Sequence, residues 1–450
     1  MLSIPEFSCL GWRETDGCTL GPPSGLNRVV GCDTGIKAGA SGYCLLQNQA
    51  TGEEVRAMQV NCSSLRSEVE FNCTQAADFA LVTSQLNMLV DTIKAEHDQP
   101  QVQGSTEAKN GVLMVIYPKL LSSVYATIRV LRSYNCSLPV ELWFLENEMG
   151  SNPLANNRLL QSLENEYGPI SLHGISGENV DGFNTKILAL AHSNLDQVLF
   201  LDADNTPVKD PTYIFTAPEF IESGAIFWPD FWHPANTIFN IHNETLLWEL
   251  VDMPFVDMFE QESGQLLIDR RRAAAALRVL QFLALRQPNP LQQLKLVHGD
   301  KDLFRIAWLK TNTSFHMIET PAAVAGILNN GGFCGITMVQ HDPEGKVLFL
   351  HHNGKKVIGD DQTRTWTHLQ SFVFPDQLAL HRSNASDRYA YLADNYRVGI
   401  YGTSDAFPGL LMCYRLTTEH YRLTSWTELL HHDLEDRLRD FVQEATELGN

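Results

Sequence analysis

The chain has no long apolar run. None of its stretches reaches 18 consecutive apolar residues, and residues 1–20 carry no apolar segment of the kind found in signal peptides. Basic residues are also scarce, since 33 Lys and Arg stand against 53 Asp and Glu, a net charge of −20. This excess of acid argues against a protein that binds nucleic acid or an anionic membrane surface. No Cys-x-x-Cys pair occurs, so the usual spacing of a zinc site is missing.

Cysteines are concentrated in the N-terminal part of the chain. Six of the nine fall within residues 1–75, a pattern typical of a disulfide-stapled segment that forms in an oxidising compartment. Free buried thiols in a cytosolic protein are the alternative. Asn-x-Ser/Thr sequons favour the secretory pathway, and they begin at Asn61, Asn72, Asn135, Asn243, Asn312 and Asn384.

Strand and helix patterns alternate from residue 111 onward. The apolar runs 111–117 and 139–146 are typical of buried strands, and residues 120–133 between them have helical periodicity. Such a strand, helix and strand predict a βαβ unit in a parallel sheet, and hence an α/β fold. The segment 270–286 predicts a later helix, and an acidic amphipathic helix is expected near residues 426–446.

The chain divides into four predicted segments. A Cys-rich, stapled segment (1–75) is followed by a helix and linker (76–110). The catalytic domain is expected at 111–373, and a less patterned C-terminal extension at 374–450.

The segment VLFLDAD (198–204) is the strongest functional signal. Its apolar residues predict a strand buried on both faces, and Asp202 and Asp204 follow at the carboxyl end, where ligands bind in open α/β sheets. Two carboxylates flanking a small residue can bind one divalent cation, which in turn grips the diphosphate of a nucleotide. An Asp-rich turn after a strand is the structural alternative.

Polar and aromatic residues in two neighbouring segments can complete a sugar site. Lys186, on the helix before this strand, can reach a donor's phosphates or sugar. Trp228 and Trp232 offer flat faces on which sugars stack, and Asp230 can bind hydroxyl groups. A solvated lysine and core aromatics are the structural alternatives.

Three later segments add further polar groups. Their candidate residues are Glu262 and Gln265, for sugar hydroxyls, Asp300 and Asp302, at a helix start, and His351, His352, Lys355 and Lys356, at a strand end. Because adjacent strand residues point to opposite faces, only one of the two histidines can complete the coordination of the cation. The lysines can neutralise a departing diphosphate.

Taken in order, these segments resemble the fungal Golgi α-mannosyltransferase family, of the α-1,3-mannosyltransferase type. The matching segments, from about residue 110 to 357, are GFNTKILAL, VLFLDADNTPVKDP, GAIFWPDFW, ESGQLLIDRR, HGDKDLF, MVQHDPEG and LFLHHNGK. The resemblance implies a GT-A glycosyltransferase fold with a Rossmann-like, mostly parallel sheet, a GDP-mannose donor, a manganese cofactor and a glycan acceptor. It also implies a type II membrane protein facing the Golgi lumen, whose anchor is expected outside this chain.

A more distant resemblance selects the third metal ligand. His351-x-x-Gly354 followed by lysine is similar to the metal- and diphosphate-binding element of glycogenin-type transferases. It implies His351 as the ligand beside Asp202 and Asp204, with His352 as the alternative if the register differs.

We therefore expect a metal-dependent, retaining glycosyltransferase. Lys186, Lys355 and Lys356 are expected to contact the donor, and Trp228, Trp232, Asp300 and Asp302 the acceptor. The candidates for the face opposite the leaving group are Gln265, Glu262 and Asp230. A UDP-hexose-dependent transferase is the alternative within the class. A glycoside hydrolase, which also uses two carboxylates, and a non-catalytic carbohydrate-binding protein are the alternatives outside it.

Overall fold

The structure is a computed structural model that describes residues 6–15, 17–18, 29–97, 108–177, 182–359, 364–375, 385–403, 406–429 and 431–449. The strands are β1 Phe7–Glu14, β2 Val29–Val30, β3 Ile36–Lys37, β4 Gly42–Asn48, β5 Glu54–Val60, β6 Glu70–Phe71, β7 Asn110–Val115, β8 Val140–Leu145, β9 Ile170–Ile175, β10 Gln197–Leu201, β11 Asn205–Pro207, β12 Ala225–Pro229, β13 Gln261–Asp269, β14 His316–Met317, β15 Ala323–Asn329, β16 Gly332–His341, β17 Val347–His351, β18 His368–Phe372, β19 Val398–Gly402, β20 Met412–Leu416 and β21 Tyr421–Ser425.

The α-helices are α1 Ala76–His97, α2 Leu121–Ser133, α3 Glu146–Met149, α4 Arg158–Glu166, α5 Gly182–His192, α6 Pro218–Ser223, α7 Leu247–Leu250, α8 Ala274–Leu285, α9 Pro290–Gln293, α10 Lys301–Lys310, α11 Ala385–Asn395 and α12 Leu434–Gly449. Short 3-10 helices occupy Pro118–Leu120, Pro153–Ala155, Thr212–Thr216, Pro234–Asn236 and Trp426–Glu428.

Contacts divide the chain into two compact units that are interleaved along the sequence. The first unit comprises Met1–Thr106, His233–Glu260 and Ala274–Thr313. The second comprises Glu107–Trp232, Gln261–Ala273 and Ser314–Asn450. The sequence predicts a linear division with boundaries after residues 75, 110 and 373, and as functional segments these stay predictions.

The first unit is held together by three disulfides, as the clustered cysteines predict. They join Cys9 to Cys32, Cys18 to Cys62, and Cys44 to Cys73. By closing loops of 23, 44 and 29 residues, each is expected to stabilise the fold by about 3–4 kcal/mol, because the crosslink restricts the unfolded chain. The unit contains a four-stranded sheet of order β2-β1-β4-β5, and α1 packs against its strands β1, β4 and β5.

The second unit is built on a seven-stranded sheet of order β14-β12-β13-β10-β7-β8-β9. The run β9-β8-β7-β10 is parallel, and β13 pairs antiparallel with both β10 and β12. This arrangement confirms the predicted α/β fold with a mostly parallel sheet. The βαβ unit also forms as predicted, with α2 connecting the parallel neighbours β7 and β8.

Burial explains why strand β10 has an unbroken apolar run. Val198, Leu199, Phe200 and Leu201 of β10 have no exposed surface, and every residue of β8 and β13 is buried. A strand covered on both faces has no solvent side, so it shows no alternation of polar and apolar residues. The resulting core extends into α2, through residues such as Val124 and Ile128.

A second sheet in the same unit receives the chain directly after β10. Its order is β11-β17-β16-β15-β18-β21, with β20 joining β16 to β19. The C-terminal part of the chain completes this unit, because β19, β20 and β21 add strands and α12 packs on α2. In that contact Tyr125 donates to a Glu444 carboxylate oxygen at 2.7 Å. A fourth disulfide, which the sequence does not predict, joins Cys334 to Cys413.

Among the residues described, no helix combines the length and the apolar character needed to span a membrane. Residues Trp426–Glu428 form a 3-10 turn, and the helix expected near 426–446 begins later, at Leu434.

Candidate active site

The Asp-Ala-Asp turn joins the two sheets of the second unit. Strand β10 ends at Leu201, and β11 begins at Asn205 in the second sheet. The turn is fixed by its backbone, because Asp202 N donates to Gly264 O at 2.9 Å and Asn205 N donates to Asp202 O at 3.0 Å. The two carboxylates therefore lie at the carboxyl end of a buried parallel strand, as the sequence predicts.

His351 reaches the aspartates through strand pairing. Strand β17 runs antiparallel to β11 and places His351 opposite Asn205. The imidazole Nε2 lies 3.3 Å from a carboxylate oxygen of Asp204. Asp202, Asp204 and His351 each offer one ligand atom, and these atoms lie within 4.8 Å of one another. Their geometry fits the predicted three-residue metal site.

His352 faces away from this cluster. Its ring packs against Trp366, with the ring centroids 5.0 Å apart, and only 2% of the residue is exposed. Burial lowers the pKa of His352 to about 3, so the ring is neutral at physiological pH. The alternation of a β-strand explains the difference, and the structure brings His351 rather than His352 to the aspartates.

Two lysines contact the aspartates. Lys186, on α5, lies 3.1 Å from an Asp202 carboxylate oxygen and donates to Ser263 O at 2.9 Å. Lys356, just after β17, contacts a carboxylate oxygen of Asp204. Both lysines were predicted to bind the donor. Lys355, predicted with them, is half-buried.

Neighbouring groups of opposite charge keep both His351 and Asp204 ionised. Burial alone would lower the pKa of the His351 imidazole, but the carboxylates of Asp204 and Glu262 outweigh it and raise the pKa to about 10. Burial also acts to raise the pKa of Asp204, yet His351 and Lys356 keep it well below its ordinary value. Without a metal the site therefore carries a protonated imidazole between two carboxylates.

Two predicted catalytic residues are bound to neighbouring groups of the site. Glu262 Oε1 lies 3.1 Å from His351 Nδ1 and accepts from Gly264 N at 2.7 Å. Gln265 Oε1 accepts from Asn205 Nδ2 at 2.6 Å and has no exposed surface. The third, Asp230, directly follows β12, is 5% exposed, and accepts from Phe231 N at 2.6 Å.

The two predicted sugar-stacking tryptophans are buried. Trp228 is fully buried in the core, and its Nε1 donates to His341 O at 2.7 Å. No face of this ring is open to a sugar, so the prediction for Trp228 is corrected to a core role. Trp232 is 4% exposed and packs edge-on against Phe231.

Asp300 and Asp302 belong to the first unit. Asp300 precedes α10, and its side chain makes no capping hydrogen bond to that helix. Asp302 is fully buried, with Arg305 Nε 2.6 Å from its carboxylate. Lys301 beside it lies 2.6 Å from a carboxylate oxygen of Glu260. Their predicted acceptor role stays a prediction.

Sequence reasoning missed an open cleft and a tyrosine beside it. The cleft has a volume of about 490 Å³ and is lined by Pro118, Leu121 and residues 148–153 and 155–157, which follow β7 and β8. Tyr117 immediately precedes Pro118 and is 36% exposed. Burial, followed by the charges of Asp204, Asp202 and Glu148, raises the Tyr117 pKa to about 12. Its place at the end of the apolar run 111–117 was the available signal.

The sheet and its site define a class of protein. A mostly parallel α/β sheet that ends in paired aspartates, with a histidine and two lysines gathered on them, is the arrangement of a GT-A glycosyltransferase. The chain belongs to the family described as "Mannosyltransferase putative", whose sequence profile matches residues 109–342, more than half of the chain. The predicted mannosyltransferase family is thereby confirmed.

Several curated relatives are yeast mannosyltransferases. The α-1,2-mannosyltransferase MNN2 of Saccharomyces cerevisiae is 27% identical over 272 residues, which cover 52% of this chain and 45% of the relative. The α-1,2-mannosyltransferase MNN5 of the same yeast is 23% identical over 359 residues, covering 68% and 61%. The chain thus spans about half the length of the curated relatives it matches. These two relatives are named as α-1,2-mannosyltransferases. The putative α-1,3-mannosyltransferase MNN14 of Candida albicans also matches, at 21% identity over 296 residues that cover 58% of this chain and 40% of the relative.

Solved structures align weakly with the chain. The galactosyltransferase LgtC, solved with donor and acceptor sugar analogues, aligns at 13% identity with a TM-score of 0.31, covering 46% of this chain and 72% of LgtC. The bifunctional glycosyltransferase WbbM aligns at 12% identity with a TM-score of 0.31, covering 51% and 45%.

Proposed function

We propose that this protein is a metal-dependent, retaining α-mannosyltransferase that moves mannose from GDP-mannose to a glycan of a glycoprotein. The observation that carries the proposal is the convergence of Asp202, Asp204 and His351 at the end of β10. Family membership supports the sugar and the class of reaction. The family also weighs against the hydrolase and the non-catalytic binding protein as alternatives.

The three residues fit a manganese ion. Two carboxylates and one imidazole supply the oxygen and nitrogen ligands that this borderline cation accepts. The position attracts positive charge, because Lys356 and the protonated ring of His351 both lie against Asp204. Asp202, Asp204 and Nε2 of His351 would hold the cation, which when bound would neutralise charge on the donor's diphosphate.

The lysines are positioned to act on the same diphosphate. Lys186 and Lys356 lie against the aspartates, so their charges face the place where a metal-bound diphosphate would lie. In transfer, the bond from the mannose anomeric carbon to the diphosphate oxygen breaks, and a bond to the acceptor hydroxyl oxygen forms. The hydroxyl proton passes to the departing diphosphate, and the lysine charges favour that leaving group.

Retention of configuration is proposed to proceed by front-face attack. Glu262 is engaged with His351 and Gly264, and Gln265 with Asn205, so the contacts of both side chains disfavour bonding to the sugar. Proton NMR of the first product, before anomers equilibrate, measures the configuration directly. A β-linked product from an α-linked donor would contradict retention.

The cleft after β7 and β8 is the proposed nucleoside site. It lies at the carboxyl ends of parallel strands. The charges of Glu148, which lines the cleft, and of the two aspartates all raise the pKa of Tyr117, so this residue lies near both. We expect Tyr117 to stack on the base. Tyr117→Ala should then weaken GDP binding by about 5- to 100-fold, the range for losing one aromatic–base stack, while Tyr117→Phe should bind normally. Equal affinities of the alanine variant and the parent would place the base elsewhere.

The proposed compartment is the Golgi lumen. Four disulfides require an oxidising compartment, which supports the secretory pathway. Of the sequon asparagines, Asn135, Asn243 and Asn312 are exposed, whereas Asn61 is buried and Asn384 lies outside the described residues.

A donor screen tests the proposal. Thermal unfolding is recorded with GDP, UDP, GDP-mannose and a UDP-hexose, each with and without manganese. Ligand at about 100 times its dissociation constant stabilises the folded state by about 2.7 kcal/mol, so the true donor should raise the midpoint temperature by a few degrees. We expect this for GDP and GDP-mannose with manganese only, and not in Asp204→Asn. Stabilisation by UDP ligands instead would identify a UDP-hexose transferase, and no response to any nucleotide would refute the proposed activity.

A further inference from the structure

Glu262 is arranged around His351 in a way that its predicted catalytic role does not explain. Its Oε1 lies 3.1 Å from His351 Nδ1, on the side of the ring opposite the atom that faces Asp204. The same oxygen accepts from Gly264 N at 2.7 Å, which fixes the carboxylate against its own strand. Only 12% of either side chain is exposed, so the contact between them is largely shielded from water.

Gly264 provides the space for this contact. A β-carbon at position 264 would lie 2.6 Å from His351 Nδ1 and 2.9 Å from Glu262 Oε1. Both distances are shorter than non-bonded atoms allow, so any larger residue would separate the imidazole from the carboxylate. The glycine is needed here for close approach, since its backbone conformation does not require one.

The contact determines which imidazole nitrogen is available. The negative charge of a carboxylate 3.1 Å from Nδ1 favours the tautomer that has its proton on Nδ1 and its lone pair on Nε2. Nε2 is the atom that faces Asp204. Carboxylates that orient a metal-binding histidine in this way raise the basicity of the ligand and restrict rotation of the ring.

We propose that Glu262 is a positioning residue that holds His351 through Nδ1, presents Nε2 to a divalent cation, and depends on Gly264 for access. The inference rests on the proposed metal site, but it assigns Glu262 a role other than bonding to the sugar. Its action passes through His351, and this distinguishes it from a fourth ligand or a general source of negative charge.

A double-mutant cycle on manganese affinity tests this dependence. Free manganese is measured by electron paramagnetic resonance in purified parent, Glu262→Ala, His351→Ala and the double variant, each checked for folding by its unfolding midpoint. Loss of such a supporting carboxylate typically costs 10- to 100-fold in metal affinity, and we expect that loss for Glu262→Ala. In the His351→Ala background, the same substitution should cost less than about 2-fold, because its partner is already gone.

Matched variants separate the possible causes. Glu262→Gln retains an oxygen that can accept from Nδ1 and should lose less affinity than Glu262→Ala. Gly264→Ala retains the carboxylate but displaces the ring, and it should weaken manganese binding as well. The control is Glu344→Gln, which removes one acidic charge from the exposed turn before β17, where Glu344 pairs with Lys346, and should leave affinity unchanged.

The outcomes distinguish the inference from the function on which it rests. An equal loss from Glu262→Ala in both backgrounds, or no loss in either, would overturn the positioning role while leaving the metal site intact. If the parent itself bound manganese no better than Asp204→Asn, both the metal site and the role of Glu262 would be refuted. A metal-free readout comes from nitrogen-15 NMR of histidine-labelled protein, where Glu262→Gln should shift the Nδ1 resonance of His351 but not that of His352. Unchanged His351 resonances would also overturn the inference.

Discussion

Manganese affinity should depend on pH far more steeply than an ordinary histidine ligand would predict. In the metal-free protein, Asp204 and Glu262 raise the pKa of His351 to about 10, against the opposing effect of burial. The cation needs the Nε2 lone pair, so each binding event must release the proton that this pKa retains. Proton and metal therefore compete at one nitrogen throughout the neutral range.

The size of the effect follows from the pKa. With a pKa of about 10, the deprotonated fraction rises about 100-fold between pH 6 and pH 8, and affinity rises with it. With the ordinary value of 6.5, the same interval would give a rise of only about 4-fold. At pH 7 the first case releases about one proton per manganese bound, and the second about 0.2.

Isothermal titration calorimetry measures both quantities. Titrations at pH 6, 7 and 8 give the slope, and buffers of different ionisation enthalpy give the number of protons released. His351→Ala should bind more weakly and show a much flatter profile, because it lacks the imidazole nitrogen for which proton and metal compete. A 4-fold rise in the parent, or a proton count near 0.2, would refute the coupling between His351 and the two carboxylates.

Three further predictions concern other parts of the chain. Asp204→Asn should reduce transfer by about 100-fold or more, since several kcal/mol of leaving-group stabilisation depend on the cation. Its unfolding midpoint should fall by no more than a few degrees. Full turnover at limiting manganese would contradict this prediction. Denatured, unreduced protein should present one reactive thiol, from Cys136, because the other eight cysteines are paired. The variant Cys136→Ser should present none. Six or more thiols in the parent would exclude the disulfides. Burial raises the pKa of Glu249 from 4.5 to about 7, so its stabilising contribution is full below pH 4.5 and is lost as the pH rises through 7. Urea unfolding should therefore show a loss of up to about 3 kcal/mol between pH 5 and pH 8.5 that Glu249→Gln removes; equal pH dependence in parent and variant would contradict the shift.

Strands of the catalytic sheet could be predicted where burial on both faces gives a continuous run of apolar residues in the sequence. The run 198–201 is entirely apolar and ends abruptly in aspartates, and the structure gives β10 with the same C-terminal end. Helix boundaries were less predictable where tertiary contacts compete with local preference. Residues 270–286 have a helical pattern, yet α8 begins only at Ala274. Arg270 instead donates to the carbonyl oxygens of Ala191 and Ser193 at the end of α5.

Aromatic residues show a second limit of the sequence. The segment FWPDFW suggests a sugar platform, but its pattern does not reveal which strand faces are covered. Trp228 is covered partly by Phe349, which packs edge-on against its ring with the centroids 5.5 Å apart. Phe349 comes from a strand more than a hundred residues later in the chain. Nothing local to Trp228 could have indicated that contact.

The metal ligands and their support differ in how they can be inferred. Asp202 and Asp204 follow the end of β10 and His351 ends β17, so the aspartates and one of the two adjacent histidines could be proposed from strand ends. The resemblance to glycogenin-type transferases then selected His351. Glu262 acts on His351 only because β17 pairs with β11 while Asp202 N and Asn205 Nδ2 both bind Gly264 O. The contact then depends on a missing β-carbon at Gly264, and a glycine in a strand has many structural explanations. The atoms that coordinate can therefore be predicted from the strands that carry them, whereas the atoms that orient them depend on how those strands pair.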